Sequence, residues 1–430
     1  MSSSDKERRR AELELKIQAH RRKKRLLYIR VGIPAAVLLV VLCVFIGVRI
    51  SASLKSRPAA STDLQAGAEK RSGDAAGGLT DADSESAADD GNGSGGSADD
   101  GSGSESAAGD DTAETGDSAE STDIPETTIT VSLAGDCTLG TDEYFNWDTS
   151  LNAYYTYQGA DYFFRNVKSV FSEDDLTVVN MEGTLTDSTT RQDKQFAFKA
   201  DPEYAQILTE GAVEAANLAN NHSHDYGDES YTDTIDALDA AGIVSFGYDR
   251  TAVMDVKGIK VGLVGIYELA LHLDCQTQLL ENIQKVKDEG AQLIIVVFHW
   301  GNEKETVPDS NQTTLGRMAI DNGADLVVGH HPHVLQGIEK YKGKYIAYSL
   351  GNFCFGGNTN PSDMDTIIFQ QTFTIDGNGV QEDDNIQIIP CRVSSDYSFN
   401  NYQPTIAEGS EAERILQKLE ERSNAITPAS

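Results

Sequence analysis

The chain has 430 residues and a formal net charge of −33, length enough for one large domain or two ordinary ones. The charge is uneven: residues 1–50 carry +8, residues 51–126 carry −14 and residues 127–430 carry −27. So acidic a folded portion repels nucleic-acid phosphates and argues against nucleic acid as a partner.

Residues 1–25 read as a basic cytoplasmic head. Val31 to Val48 form an 18-residue stretch without a charged side chain. At about 1.5 Å per residue it nearly matches a bilayer core of ~30 Å. Arg21, Arg22, Lys23, Lys24 and Arg25 precede it, and the positive-inside rule places that side in the cytoplasm. Residues 26–50 are therefore expected to be a single-pass transmembrane signal anchor in the cell membrane, with the C-terminal domain extracellular. A signal peptide cleaved near Ser51-Ala52-Ser53 is the rival reading, but signal h-regions usually run only ~7–15 residues. Residues 51–125 are mostly Gly, Ser, Ala and Asp, which bury too little surface to offset ordering entropy. They are expected to form an acidic, disordered linker that holds a domain over 126–430 away from the membrane.

From Thr127 the texture becomes that of a folded domain. Strands are expected at Thr128–Ala134, Leu176–Met181, Val213–Leu218, Lys260–Ile266, Leu293–Phe298, Leu326–Val328 and Lys344–Ser349. Helices are expected at Gln158–Phe171, Pro202–Gly211, Tyr231–Ala241, Gln278–Glu289 and Thr313–Asn322, three of them stopped by Gly242, Gly290 and Gly323. This alternation implies a layered α/β domain. Beyond Thr366 the pattern turns to strands, Ile367–Ile375 and Asn385–Cys391, expected to pair antiparallel. A charged helix over 411–424 follows. Cys137, Cys275, Cys354 and Cys391 contain no CxxC pair. Cys137 and Cys354 each follow an apolar run, so they either approach each other or are separate buried thiols.

Six of the eight histidines fall in three clusters, each ending an apolar run. They are Asn220-Asn221-His222-Ser223-His224-Asp225, His299-Trp300-Gly301 and Gly329-His330-His331-Pro332-His333. Residues just past strand ends converge on one edge of a sheet. Imidazole is the commonest metal ligand and acid/base group, so the clusters point to one polar pocket holding metal. Plainer readings stand beside this: Asp136 capping a turn, Glu182 paired with Lys199, Asn221 bonding its own backbone, and His222 and His299 as satisfied core histidines. His224 is expected at the rim, His330 on the face opposite His331, and His272 at the surface.

The motifs Ala134-Gly135-Asp136, Asn180-Met181-Glu182-Gly183, Asn220-Asn221-His222, His299-Trp300-Gly301, Gly329-His330-His331-Pro332-His333-Val334 and Ser349-Leu350-Gly351-Asn352-Phe353 occur in this order. Together they resemble the CapA family of capsule-synthesis proteins, associated with bacterial poly-γ-glutamate. That family in turn resembles the calcineurin-like metallophosphatases, and the resemblance covers about residues 127–375. It implies a four-layer α/β/β/α sandwich of metallophosphatase type. It implies divalent metal (Mn, Zn, Fe or Mg) held by Asp136, Glu182, Asn221, His299, His331 and His333, with His222 as general acid or transition-state stabiliser. Asn180, Asn220, Glu268, Trp300, His330 and Asn352 are further pocket candidates. Two departures stand out. Metallophosphatases open with Asp-x-His, but Cys137 and Thr138 follow Asp136, so one imidazole is missing. Glu182 stands where those enzymes carry Asp.

The implied function is synthesis or export of an anionic surface polymer, as a metal-dependent hydrolase or transferase. A non-catalytic accessory subunit binding polymer or a membrane synthase, and a phosphoesterase unrelated to capsule, are the alternatives. The −27 domain requires metal or a basic stripe, such as Lys257/Lys260 or Lys340/Lys342/Lys344, to meet a polyanion.

Overall fold

Strand β1, Thr127–Thr138, is almost wholly buried beyond Thr130, because both of its faces are covered. The structure, a computed structural model, describes residues 126–382 and 384–429. The basic head, the Val31–Val48 stretch and the acidic linker lie outside the described residues. Among the described residues no helix is long and apolar enough to cross a membrane.

The strands that follow are β2 (Leu176–Met181), β3 (Thr184–Leu185), β4 (Lys199–Ala200), β5 (Ala215–Asn217), β6 (Val244–Phe246), β7 (Ala252–Val256) and β8 (Ile259–Tyr267). Next come β9 (Leu293–His299), β10 (Leu326–His330), β11 (Ile338–Tyr341), β12 (Lys344–Ala347) and β13 (Asn352–Phe355). The last are β14 (Asp365–Asp376), β15 (Gly379–Val380), β16 (Ile386–Arg392) and β17 (Thr405–Ile406). The helices are α1 (Leu151–Gln158), α2 (Lys168–Glu173), α3 (Gln206–Glu210), α4 (Asp228–Ala240), α5 (Gln276–Asp288), α6 (Ser310–Asp321) and α7 (Gly409–Asn424).

Two sheets carry the fold. The larger has the order β17-β16-β14-β1-β2-β5-β6, with β13 also on β1 and β15 on β14. Its β1, β2, β5 and β6 are parallel, whereas β14 and β16 add antiparallel. The smaller runs β11-β12-β10-β9-β8-β7, with β8, β9, β10 and β12 parallel. Side chains alternate across each strand, and the core divides accordingly. Ile129, Val131 and Leu133 of β1 pack with Leu263, Ile295 and Val328 between the sheets. Val179 and Met181 of β2 pack on the other face under Leu151, Phe171, Ile207 and Leu238 of α1 to α4. Val264, Val296 and Phe298 pack outward against Leu279, Ile283, Leu315 and Ala319 of α5 and α6. Helices thus cover both outer faces of two apposed sheets, and α7 adds Ile415 and Leu419 to the inter-sheet core.

The N-terminal helix differs from expectation. Gln158–Phe171 is not one helix: α1 starts at Leu151, capped by the Ser150 hydroxyl accepting from Ala153 N, and stops at Gly159. Gly159 takes a φ of 84°, which ends the helical path. The four described cysteines are buried and free, Cys137 and Cys354 included.

Candidate metal centre

Parallel strands end on the same side, so the C-terminal ends of β1, β2 and β5 share one edge. Asp136 lies opposite Asn180, and Asn180 opposite Asn217. Their side chains form a hydrogen-bonded row: Asn217 Nδ2 donates to Asn180 Oδ1 (2.9 Å) and Asn180 Nδ2 donates to Asp136 Oδ1 (2.8 Å). The apposed sheet brings His299 at the end of β9 in register with His330 at the end of β10. Asn180 Nδ2 also lies 3.2 Å from His299 Nδ1, joining the two sheets.

The tip of β1 is shaped by Gly135. A Cβ there would lie 2.1 Å from the carbonyl oxygen of Gly351, so no other residue fits without moving backbone. Close approach lets Asp136 N donate to that same oxygen (2.9 Å). It seats Asp136, fully buried, beneath the histidine loop. That loop is strained: His331 and His333 have φ of 95° and 55°. Such conformations cost of order 1–3 kcal/mol each and cluster at functional sites.

Two triads of ligand-type atoms share this space: Glu182, His299 and His331, and Asp136, Glu182 and His333, each with all atoms within 4.8 Å of one another. Glu182 belongs to both. Its Oε1 lies 3.7 Å from His299 Nε2 and 3.7 Å from His333 Nε2. Asn221 Oδ1 sits 2.9 Å from His299 Nε2. His333 Nδ1 is 2.8 Å from Asn352 Oδ1, which leaves Nε2 facing Glu182. A carbonyl behind a ligating imidazole is the usual orienting partner.

Electrostatics favour a cation here. Burial and the neighbouring His333 push the His331 imidazole down to about 3. Burial and His331 hold His299 well below the usual histidine range. Both rings are therefore neutral, the form that coordinates metal. Burial opposes charge on His333, but Glu182 and Asp136 raise it to about 10. Burial likewise opposes charge on Asp136, yet His330 and His333 hold it well below the usual carboxylate range. Burial raises Glu182. Glu182 Oε1 and His331 Nδ1 have no hydrogen-bond partner although buried. Buried lone pairs without donors, beside neutral imidazoles and two carboxylates, fit a divalent cation. The buried His/Glu/Asp cluster is thus one that could hold metal.

The His222 ring is oriented from behind. Its Nδ1 lies 2.7 Å from Oδ2 of Asp225, a carboxylate with no exposure. Phe198 packs on its face at 4.6 Å between centroids.

A model of the family described as "Bacterial capsule synthesis protein PGA_cap" matches residues 130–357. The chain belongs to this family. The capsule biosynthesis protein CapA of Bacillus anthracis is 32% identical over 253 residues, covering 53% of this chain and 60% of that protein. The PGA biosynthesis protein CapA of Bacillus subtilis (strain 168) is 31% identical over 219 residues, covering 46% and 58%. The chain therefore spans about 60% of the length of these relatives. A solved structure of a hypothetical protein from Thermus thermophilus aligns with a TM-score of 0.38 at 15% identity, covering 61% of this chain and 98% of that one.

The capsule-family match contains all six expected ligand residues, and the fold brings them together as described. Other expectations fare differently. Trp300 does not line the pocket: its indole donates to Tyr348 O (2.8 Å) and its ring stacks on Phe298 at 4.2 Å, in the helix-side core. His330 belongs to neither triad, and its Nδ1 lies 3.3 Å from Asp136 Oδ1, behind the carboxylate. Asn220 Nδ2 donates to Met181 O (2.8 Å) and Asn220 Oδ1 accepts from His222 N (3.0 Å), a turn-fixing role. Glu268 is buried but bound to Gly301 N, His272 and Asn311, outside both triads. Lys199 bonds Ser188 O and lies over Tyr226 rather than pairing Glu182. Thr138, at the place of the missing imidazole, donates to Glu182 Oε2 (3.2 Å). Asp225, in the first histidine cluster but given no role there, and Lys194, outside every motif, complete the site; the i, i+3 spacing of His222 and Asp225 is the sequence signal for the first. Of the lysine stripes, Lys257, Lys340, Lys342 and Lys344 pair with Asp175, Asp384, Asp321 and Asp325, and Lys260 Nζ donates to the Glu289 carbonyl (3.1 Å).

Proposed function

We propose that this chain is a membrane-anchored, extracytoplasmic member of the capsule synthesis family that serves synthesis or export of an anionic polymer, poly-γ-glutamate, as a metal-dependent hydrolase or transferase of metallophosphatase-like fold. The observation carrying this reading is the pair of triads sharing Glu182. A carboxylate common to two ligand sets suits two adjacent divalent ions. Asp136, Glu182 and His333 would hold one, and Glu182, His299, His331 and Asn221 the other.

Bound there, divalent ions supply Lewis acidity and charge neutralisation at the scissile group. The chain's own residues supply the rest. His222, its Nδ1–H engaged by Asp225, presents an Nε2 lone pair that takes up a proton first and then passes it to the leaving group. His330 and Asn180 hold Asp136 Oδ1, leaving Oδ2 toward His333. Asn352 fixes the His333 ring. The paired lysine stripes disfavour broad gripping of a polyanion and favour action at one bond or chain terminus.

A second reading, an accessory subunit with a structural metal, is favoured by Thr138 standing in place of an imidazole. Metal analysis of the purified chain, with turnover of bis(p-nitrophenyl) phosphate, separates the two. The enzyme reading expects bound metal and turnover, both lost in Asp136→Ala and His331→Ala. Metal without turnover supports the accessory role. Wild-type metal content in both variants overturns the ligand set.

A further inference from the structure

The segment between β3 and β4 contributes no ligand-type residue to either triad, yet it is fastened along its length to the turn carrying Asn221 and His222. Ser188 Oγ donates to Tyr226 O (3.3 Å), Gln192 N to Asp225 O (2.9 Å) and Phe198 N to Asp225 Oδ2 (2.5 Å). At its centre is Lys194. Its Nζ donates to Asn221 O (2.7 Å) and to Asp225 Oδ1 (2.5 Å), and lies 3.4 Å from His222 Nδ1.

The division of labour on Asp225 is what matters. Oδ2 meets both His222 Nδ1 and Phe198 N, whereas Oδ1 has Lys194 alone. Asp225 has no exposed side-chain surface, while Lys194 is 30% exposed. Removing the ammonium would leave a buried carboxylate oxygen without a donor, and such a carboxylate turns to recover one. The donors left beside it are the Phe198 N–H and the His222 imidazole, both now on Oδ2, so the turn disturbs the Oδ2–Nδ1 contact that selects the tautomer. The same loss would free the Asn221 carbonyl, and with it the backbone that aims the Asn221 amide at His299.

We propose that Lys194 is a positioning residue: it ties the Asn221 backbone to the Asp225 carboxylate, and so holds Asn221 on His299 and keeps His222 in the tautomer protonated at Nδ1. The tautomer claim stands on geometry; its catalytic consequence rests on the function proposed above.

The test uses the full chain labelled with 15N-histidine, metal-free, at pH 8. Two-bond proton–nitrogen correlations report the tautomer of each of the eight imidazoles, and His222→Gln assigns the relevant signal. Wild type is expected to show His222 protonated at Nδ1. Lys194→Met is expected to show mixed tautomers, and Lys194→Arg, which keeps the charge and two donors, to restore the wild-type pattern. For bis(p-nitrophenyl) phosphate with metal supplied, Lys194→Met is expected to lower kcat at least tenfold with KM within twofold, and Lys194→Arg to recover most of it. Should Lys194→Met fail to fold, Lys194→Gln is read the same way. An unchanged His222 tautomer in the folded Met or Gln variant overturns the proposal. A wild-type chain without hydrolytic activity removes the proposed function but leaves the tautomer arm to decide on Lys194.

Discussion

Glu182→Gln is expected to act in opposite directions on the metal-free and metal-loaded protein. In the metal-free chain Glu182 is fully buried, Oε1 has no hydrogen bond and only the His299 and His333 rings at 3.7 Å, and Oε2 has only the Thr138 hydroxyl. An unsatisfied buried polar group costs about 1–3 kcal/mol, more when charged. The neutral amide relieves part of that, and Asp136 remains to balance His333. The metal-free midpoint should therefore hold or rise by a few degrees. With metal at a hundred times its dissociation constant, each site stabilises by about 2.7 kcal/mol. Two sites sharing Glu182 give about 5 kcal/mol, or roughly 10–20 °C at about 2–4 °C per kcal/mol for a domain of this size class. Glu182→Gln should lose most of that increment. Differential scanning calorimetry in EDTA and in excess Mn2+ measures both effects. A variant whose midpoint still climbs with Mn2+ as in wild type would refute the shared-carboxylate reasoning; a marked fall in EDTA would refute the burial argument.

Two further outcomes follow from the surrounding fold. Leu263 has no exposed surface and lies between the sheets, so Leu263→Ala should cost about 2–5 kcal/mol in urea unfolding while metal content per folded chain is unchanged. Burial raises Glu214 to about 7 and Asp174 to about 6; both are bonded to Thr177 at the opposite end of β2 from the metal centre. Because the folded state binds these protons more tightly, their contribution is full below the unfolded values of 4.5 and 3.8 and is lost as pH rises through about 6 to 7. Glu214→Gln should therefore gain stability over wild type at pH 8 but not at pH 4, by urea titrations at the two values.

What the sequence disclosed depended on the length over which a signal ran. Asp136, His299 and His330 end buried strands, and parallel pairing alone carries such residues to one edge; the apolar runs were enough to find them. The antiparallel tail and α7 were legible for the same reason. Short elements were not. β13, four residues long, holds Asn352 opposite Asp136 but reads as a turn after Gly351. The start of α1 rests on one hydroxyl cap at Ser150, within a stretch of mixed polarity. Lys194 and Asp225 are 31 residues apart with nothing periodic between them, so their contact exists only once β3 and β4 pair. Trp300 shows the converse failure: adjacency to His299 suggested the pocket, but alternation along the chain turns neighbours to opposite faces.

The two triads are not equivalent, and that sets an order of filling. One has two imidazoles and a carboxylate; the other has two carboxylates and an imidazole. Imidazole favours later first-row ions such as Zn2+, whereas oxygen ligands suit Mn2+ and Mg2+. The imidazoles of the first triad are also already neutral, whereas His333 in the second must give up a proton that Glu182 and Asp136 hold on it. Metal at the nitrogen-rich position therefore displaces no proton from its rings, while metal at the oxygen-rich position releases one. Calorimetric titration near neutral pH, in buffers of different ionisation enthalpy, should resolve two events. The first should be nearly free of proton release and have the larger Zn2+ to Mn2+ preference. The second should release about one proton and tolerate Mn2+ better. His333→Gln should abolish the proton-releasing event and spare the other. A single event, or two with identical proton release and metal preference, would mean the triads do not act as separate positions.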